Sequence, residues 1–325
     1  MPAPSPDPSL PPAKRYQTPQ PLAASIGSLT ARIASPRNML FSILVIVSVF
    51  VFWTPVRVLA HFSLWEDNPY DKYSYIMAIP FISGALVLFA RREIFASVRY
   101  GFRTGIILLL AGLILNWSAG SALKQLGKDA SLSINMLSLV VLLLAAFILC
   151  YGTRAFRAGA FPLLFLLLTV PIPDRLLDKP VTAVQYGSTG VCSLIFSLAG
   201  VPHVRNGLEF SLSDVTIKVA KECSGIHSTL AILIISLIAG HLFLPSLWKK
   251  VMLVLLALPI VCITNGLRIA GLTLLAEYFN PSFLHGNLHH RGGSAFFSLA
   301  LLLLFGVLHV LRKGQSSAPS TPAKV

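Results

Sequence analysis

The sequence predicts an all-α polytopic membrane protein with about eight transmembrane helices, one interfacial or re-entrant helix and a small outer β-hairpin. Three observations predict it. Apolar residues make up 55% of the 325-residue chain and charged residues only 12%, whereas a soluble domain carries about a quarter charged residues. Mean hydropathy is +0.75. The apolar residues also come in long runs, and a helix needs only about 20 of them to cross the hydrocarbon layer.

Taken in order, the chain opens with a Pro-, Ser- and Ala-rich stretch, "MPAPSPDPSLPPAKRYQTPQPLAAS". Such a composition cannot bury a core, so residues 1–38 read as a disordered cytoplasmic tail, and 314–325 have the same character. Between them, 39–313 read as one transmembrane domain. Candidate spans run over 39–60, 73–90, 104–120, 132–151, 158–173, 225–245, 250–276 and 293–311. The stretch 180–200 begins with Pro180 and includes Gln185, Tyr186, Ser188 and Thr189. That mixture suits a helix lying in the interface or re-entering it better than a full span. Within 201–222, Asn206-Gly207 stands between alternating residues and signals a tight turn. A hairpin there delivers the chain to Cys223.

A formal charge of +14 would suggest a nucleic-acid partner in a soluble protein. Here Lys and Arg sit in short loops, where positive charge holds span ends in the cytoplasm, and no nucleic-acid partner is expected. The dense clusters are Arg91-Arg92 with Arg99 and Arg103, Arg154 with Arg157, Lys249-Lys250, and Arg312-Lys313. Eight spans place all of them on the side of both tails. Counting 180–200 as a ninth would move the last two clusters outside. Eight spans with cytoplasmic termini are therefore expected, with 174–222, Cys223 and 277–292 on the outer face.

Cys150, Cys192, Cys223 and Cys262 show neither CxxC spacing nor the density of a disulfide framework. Three of them read as small core residues. Cys223 alone has polar neighbours, Glu222, Ser224 and Gly225, at the start of an apolar helix. A helix N-terminus carries partial positive charge, which favours the thiolate; Glu222 is placed to pair with a cation or cap that helix. His227 lies one turn on and reads as packing at the bundle entrance. Arg268, with Asn265 three residues earlier on the same helix face, stands inside an apolar run, where a charge marks a functional site by default. His285, His289 and His290 precede a Gly-Gly turn and read as acid–base candidates. Their spacing also fits a metal, but no acidic or second Cys/His motif reinforces it, so no metal or cofactor is expected. His61, His203, His241 and His309 are scattered and read as structural.

Cys-Ser-Gly at 223–225, Asn-x-x-Arg at 265–268 and a histidine four residues before a glycine at the last helix together resemble the exosortase/archaeosortase family. "NPYDKYSYIMAIPFISGALVLFARR" (68–92) and "FPLLFLLLTVPIPDRL" (161–176) are similar to that family's loop, second helix and Pro-x-Pro segment, so the likeness covers roughly 40–311. It departs at Tyr75, where a histidine is expected. Of the adjacent His289 and His290, the distance to Gly293 favours His289. The resemblance implies a cysteine protease-transpeptidase of the inner (cytoplasmic) membrane with its site facing the periplasm or exterior. Its implied partners are exported proteins bearing a C-terminal tail made of a short motif such as Pro-Glu-Pro, an apolar helix and a basic end, together with membrane lipids, among them a lipid amine as a possible acceptor. Carried over by motif, Cys223 is the nucleophile, Arg268 stabilises the oxyanion and His289 protonates the leaving amine, with Glu222, Ser224, Gly225, Asn265 and His290 in supporting positions. Two other classes compete: a transporter whose Arg268 binds an anion, which predicts an internal repeat that the sequence lacks, and a polysaccharide-assembly membrane protein without protease chemistry.

Overall fold

A computed structural model describes residues 35–64, 73, 75–121, 128–213, 215–219, 226–279 and 287–313, of which 64, 120, 121, 128, 226, 227 and 287–292 are described by backbone only. Most of both expected tails, the 65–72 loop, residues 220–225 and His285 lie outside these residues.

The chain enters at Ser35, whose hydroxyl accepts the amide of Asn38 ahead of α1 (Pro36–Val51), with proline in the first turn. Helix α2 (Trp53–Leu64) follows at a bend of 72°. Next come α3 (Ala78–Phe89), the single turn α4 (Arg91–Ile94), α5 (Phe102–Ser121) and the long α6 (Lys128–Ala158), against which α5 lies along most of its length. Gly152 kinks α6 with a φ of 87°; a Cβ there would come 2.2 Å from the carbonyl oxygen of Arg99. Then follow α7 (Ala160–Phe165), prolonged by a 3₁₀ turn (Leu166–Thr169), α8 (Asp174–Leu198), a small sheet, α9 (Ile226–Phe243), α10 (Leu247–Tyr278) and α11 (Asn287–Lys313).

Among the described residues five helices are long and apolar enough to cross a membrane, and six if the bent α1–α2 pair counts as one, so eight spans are not found. Two expectations exchange places. The span expected over 158–173 is a six-residue helix and a four-residue 3₁₀ turn ending before Pro171 and Pro173; together they rise only about 17 Å, little more than half the hydrocarbon thickness. The stretch 180–200, expected to lie in the interface or re-enter, belongs instead to the continuous 25-residue α8, which passes the length and hydropathy test. Its polar residues misled the reading because they face protein rather than water: Gln185, Ser188 and Thr189 are buried against α10 and the sheet.

Helix directions follow from the contacts. Gly187 opposes Cys262 and Val191 opposes Gly266, so α8 and α10 run parallel. Helices α9 and α11 run antiparallel to α10: Gly240 meets Lys250, Lys249 Nζ donates to the Leu311 carbonyl at 2.8 Å, and Arg268 reaches Gly293.

The basic clusters collect at one end, while Arg205, Lys218 and Arg268 lie towards the other. Backbone bonds from Arg99 to Tyr151 and from Gly101 to Leu149, the Tyr151 hydroxyl on Asn38 at 2.8 Å and Arg37 over Tyr100 at 4.6 Å bring together the start of α1, the start of α5 and the end of α6. Phe161 stacks on His241 at 3.8 Å and joins this end to that of α9, where Lys249, Lys250, Arg312 and Lys313 stand.

The sheet caps the opposite end. The expected hairpin is present, with β1 (Val204–Asn206) and β2 (Glu209–Ser211) joined through Gly207 at a φ of 62°. A third strand, β3 (Thr216–Lys218), extends it to an antiparallel β1-β2-β3 order. Phe210 is fully buried and meets Phe196 of α8 edge-on at 5.4 Å, in a cluster that includes Val219 and Ala270 of α10. The exposed Lys218–Glu209 pair at 2.8 Å joins residues opposite in register, and that carboxylate raises the pKa of the Lys218 ammonium.

The α8–α10 seam depends on close approach. A Cβ on Gly266 would lie 2.6 Å from Cβ of Val191 and 2.9 Å from the Ser188 carbonyl oxygen, whereas one on Gly271 meets nothing within 4 Å. Overpacking a tight contact costs about 1–3 kcal/mol. Gly266→Leu is expected to lower the melting temperature of the purified protein in detergent, and Gly271→Leu to leave it near wild type.

Candidate functional site

Val261, Thr264, Asn265 and Arg268 recur at the spacing of one helix face, and that face of α10 forms the wall of a pocket. Ser228 in the first turns of α9 closes a second side, and Gly293, Phe296, Phe297 and Ala300 of α11 close the third. The cavity between them is small, about 20 Å³, room for a water molecule. Arg268 is half-buried. A Cβ on Gly293 would sit 4.0 Å from both Cζ and Nη1 of Arg268, so the guanidinium rests directly on this point of α11.

His289 precedes Gly293 by one helical turn, and the register of α11 puts positions 289, 293, 296 and 300 on one stripe. The side chains of His289 and His290 lie outside the described residues, as do Glu222, Cys223, Ser224 and Gly225. Asn265 is buried and donates from Nδ2 to Ser188 Oγ at 3.1 Å. It therefore both lines the pocket and ties α10 to α8, which keeps the Arg268 face turned towards α9 and α11.

The chain is fixed on both sides of the thiol segment. On one side, Val219 donates its amide to the Leu208 carbonyl at 2.9 Å, and its own carbonyl accepts from Gln185 Nε2 at 2.9 Å. Val219 and Gln185 are 2% and 3% exposed. On the other side, α9 begins at Ile226 and reaches the pocket at Ser228. Three Cα–Cα steps of 3.8 Å then confine the Cα of Cys223 to within about 11 Å of that of Ile226.

Other candidates take quieter places. Cys150 and Cys192 are buried, and Cys262 is half-buried opposite Gly187. His203 is held in place by its two ring nitrogens, each 3.0 Å from a partner, Ser193 Oγ and the Val201 carbonyl. Among the described residues, no three His, Cys, Asp or Glu side chains gather to hold a metal ion. Sequence reasoning missed Ser228, Thr264, Phe296 and Phe297 as pocket lining, and Gln185 and Ser188 as supports. The spacing of Gln185, Ser188, Thr189 and Cys192, with steps of three and four, carried the signal of a helix stripe turned towards protein.

Gln185 is the lever on the thiol segment. Gln185→Leu leaves a buried carbonyl without its donor, at a cost of about 1–3 kcal/mol. Limited proteolysis within 214–225 is expected to accelerate in that variant. Lys218→Ala, which removes a surface ion pair worth less than about 1 kcal/mol, is the control expected to behave as wild type.

A family model described as Transmembrane exosortase (Exosortase_EpsH) matches residues 64–306. No curated protein and no solved structure gives a significant match. The matched region takes in every helix from α3 to α10 and most of α11, and with them all three walls of the pocket. The apolar helices around the Arg268 pocket are those of a multi-pass membrane protein, and the chain belongs to the transmembrane exosortase family.

Proposed function

We propose that this protein is an intramembrane cysteine protease-transpeptidase acting on the C-terminal sorting tails of exported proteins. One observation carries the reading: Arg268 lies against Gly293, one turn beyond His289, in a pocket whose remaining wall is Ser228, five residues after Cys223. That Ser228, Arg268 and Gly293, from segments distant in sequence, border one pocket supports assigning it the nearby Cys223 and His289.

In the proposed reaction the Cys223 thiolate attacks the carbonyl carbon of the scissile peptide bond. The electron pair moves onto the carbonyl oxygen, and the Arg268 guanidinium stabilises that oxyanion with fork-like donors. Collapse breaks the C–N bond and leaves a thioester on Cys223, while protonated His289 gives its proton to the departing amine. Neutral His289 then takes a proton from an incoming acceptor, water or an amine such as that of a membrane lipid, which attacks the thioester and restores the thiolate. A substrate anchored by its own apolar helix is already confined to the membrane, so part of its orientational entropy is lost before the encounter.

The concentration of Arg and Lys at one end of the bundle and the pocket's place towards the other support an orientation in the inner membrane with the basic end cytoplasmic and the site facing out. Supporting roles fall to Asn265 through its bond to Ser188, and to Glu222, Ser224, Gly225 and His290 next to the reacting groups.

The test uses the full chain in membranes with an exported protein carrying such a tail, followed by intact mass. Cys223→Ala is expected to reduce cleavage to background while inserting normally; cleavage that continues in this variant refutes the nucleophile assignment. Arg268→Lys keeps the charge but loses the fork, and a drop of about 10²–10³-fold is expected. His289→Gln should fall far below His290→Gln. A membrane-impermeant thiol reagent added from the outer side should label Cys223; labelling from the inner side alone would reverse the orientation.

A further inference from the structure

A second cleft lies at the basic end, away from the Arg268 pocket. Phe161 of α7, Leu237 of α9 and Val251, Val254 and Leu255 of α10 line its apolar throat, a cavity of about 310 Å³. Two polar groups stand in the terminal turns, where the cleft meets the bundle's end: His241 near the close of α9 and Lys250 in the first turn of α10. No carboxylate lines the cleft, and the first turn of α10 carries none. The neighbouring cations have other engagements. Lys249 donates to the Leu311 carbonyl, and Arg312 lies 5.5 Å over the ring of Phe243. Lys250 is thus the ammonium that faces the cleft. His241 is held against Phe161 by parallel stacking at 3.8 Å.

We infer that this cleft binds an anionic phospholipid, its phosphate at Lys250 and His241 and an acyl chain in the throat below. The dimensions and charge decide among occupants. From the helix rise and diameter, a cavity of that size is smaller than one turn of a partner helix. A free sugar or phosphate would leave the throat's apolar surface uncovered. A basic peptide is repelled by Lys250 and by the cluster around it. A single acyl chain with a negative head satisfies both parts. The flanking surface also has the character of a membrane boundary: Trp248 and Leu247 are exposed at 60% and 75%, and Trp favours the headgroup level. Basic pockets between helices at such a level are suited to anionic headgroups.

The experiment takes the full chain in maltoside micelles doped with phosphatidylglycerol or phosphatidylcholine and counts retained lipid by native mass spectrometry. Wild type is expected to retain phosphatidylglycerol about fivefold over phosphatidylcholine. Lys250→Glu should bring that ratio to near one, while Lys313→Glu, at the same end but outside the cleft, should keep it. Val254→Trp fills the throat without changing charge and should lower retention of both lipids, which keeps the test decisive if Lys250→Glu does not fold. Absence of a preference in wild type, unchanged retention in Val254→Trp, or an equal loss in Lys313→Glu would overturn the site.

Discussion

The structure turns on the seam between α8 and α10. In a hydrocarbon layer a polar group without a partner costs several kcal/mol, so a helix bearing polar residues must find them partners inside the protein. Helix α8 brings Gln185, Ser188 and Thr189 to its buried side. Ser188 takes the Asn265 amide from α10, Gln185 takes the Val219 carbonyl from the end of β3, and Thr189 donates to the Gln185 carbonyl within its own helix. Gly266 lets the two helices come close enough for this. The same bonds that satisfy α8 orient the Arg268 face of α10 and anchor the strand leading to Cys223. Stability of the fold and placement of the site therefore share one set of contacts.

A second consequence is the difference between the two ends. Along α10, Lys250 and Arg268 are separated by about 27 Å of helical rise, close to the thickness of the hydrocarbon layer. One belongs to a crowded basic end with an apolar cleft, the other to a small pocket between α9, α10 and α11. Burial of Phe210 against Phe196 binds the cap to α8, so the sheet is part of the bundle and not an appended loop. The length of α10 keeps the two sites apart.

Particular elements show how far the chain could be read. The apolar runs became α5, α6, α10 and α11 nearly where expected, because burial from water or lipid acts on composition alone. The hairpin expected at Asn206-Gly207 formed with Gly207-Leu208 as its turn and Asn206 paired to Glu209, because Gly207 supplies the positive φ that such a turn requires locally. The exchange between 158–173 and α8 was not legible. An amphipathic pattern reports that one face is polar, but not whether its partner is water or another helix, and apolar content does not show that Pro171 and Pro173 follow a helix of only two or three turns. With α8 long enough to cross and α7 short, the basic clusters still gather at one end.

The sequence by itself determined the helical membrane class and the family, and it carried the residue types of the proposed site: a Cys-Ser-Gly run ahead of an apolar stretch, an arginine with an asparagine three residues before it, and a histidine four residues before a glycine. These are local patterns, set by composition and short spacing. Only the tertiary structure decided that Arg268 lies against Gly293, that Ser228 closes the same pocket, and that Gln185 holds the strand before the thiol. Such meetings depend on the direction and register of helices far apart in the chain. Those are settled by which polar groups find partners and which small residues permit close approach, and neither is written in any one segment.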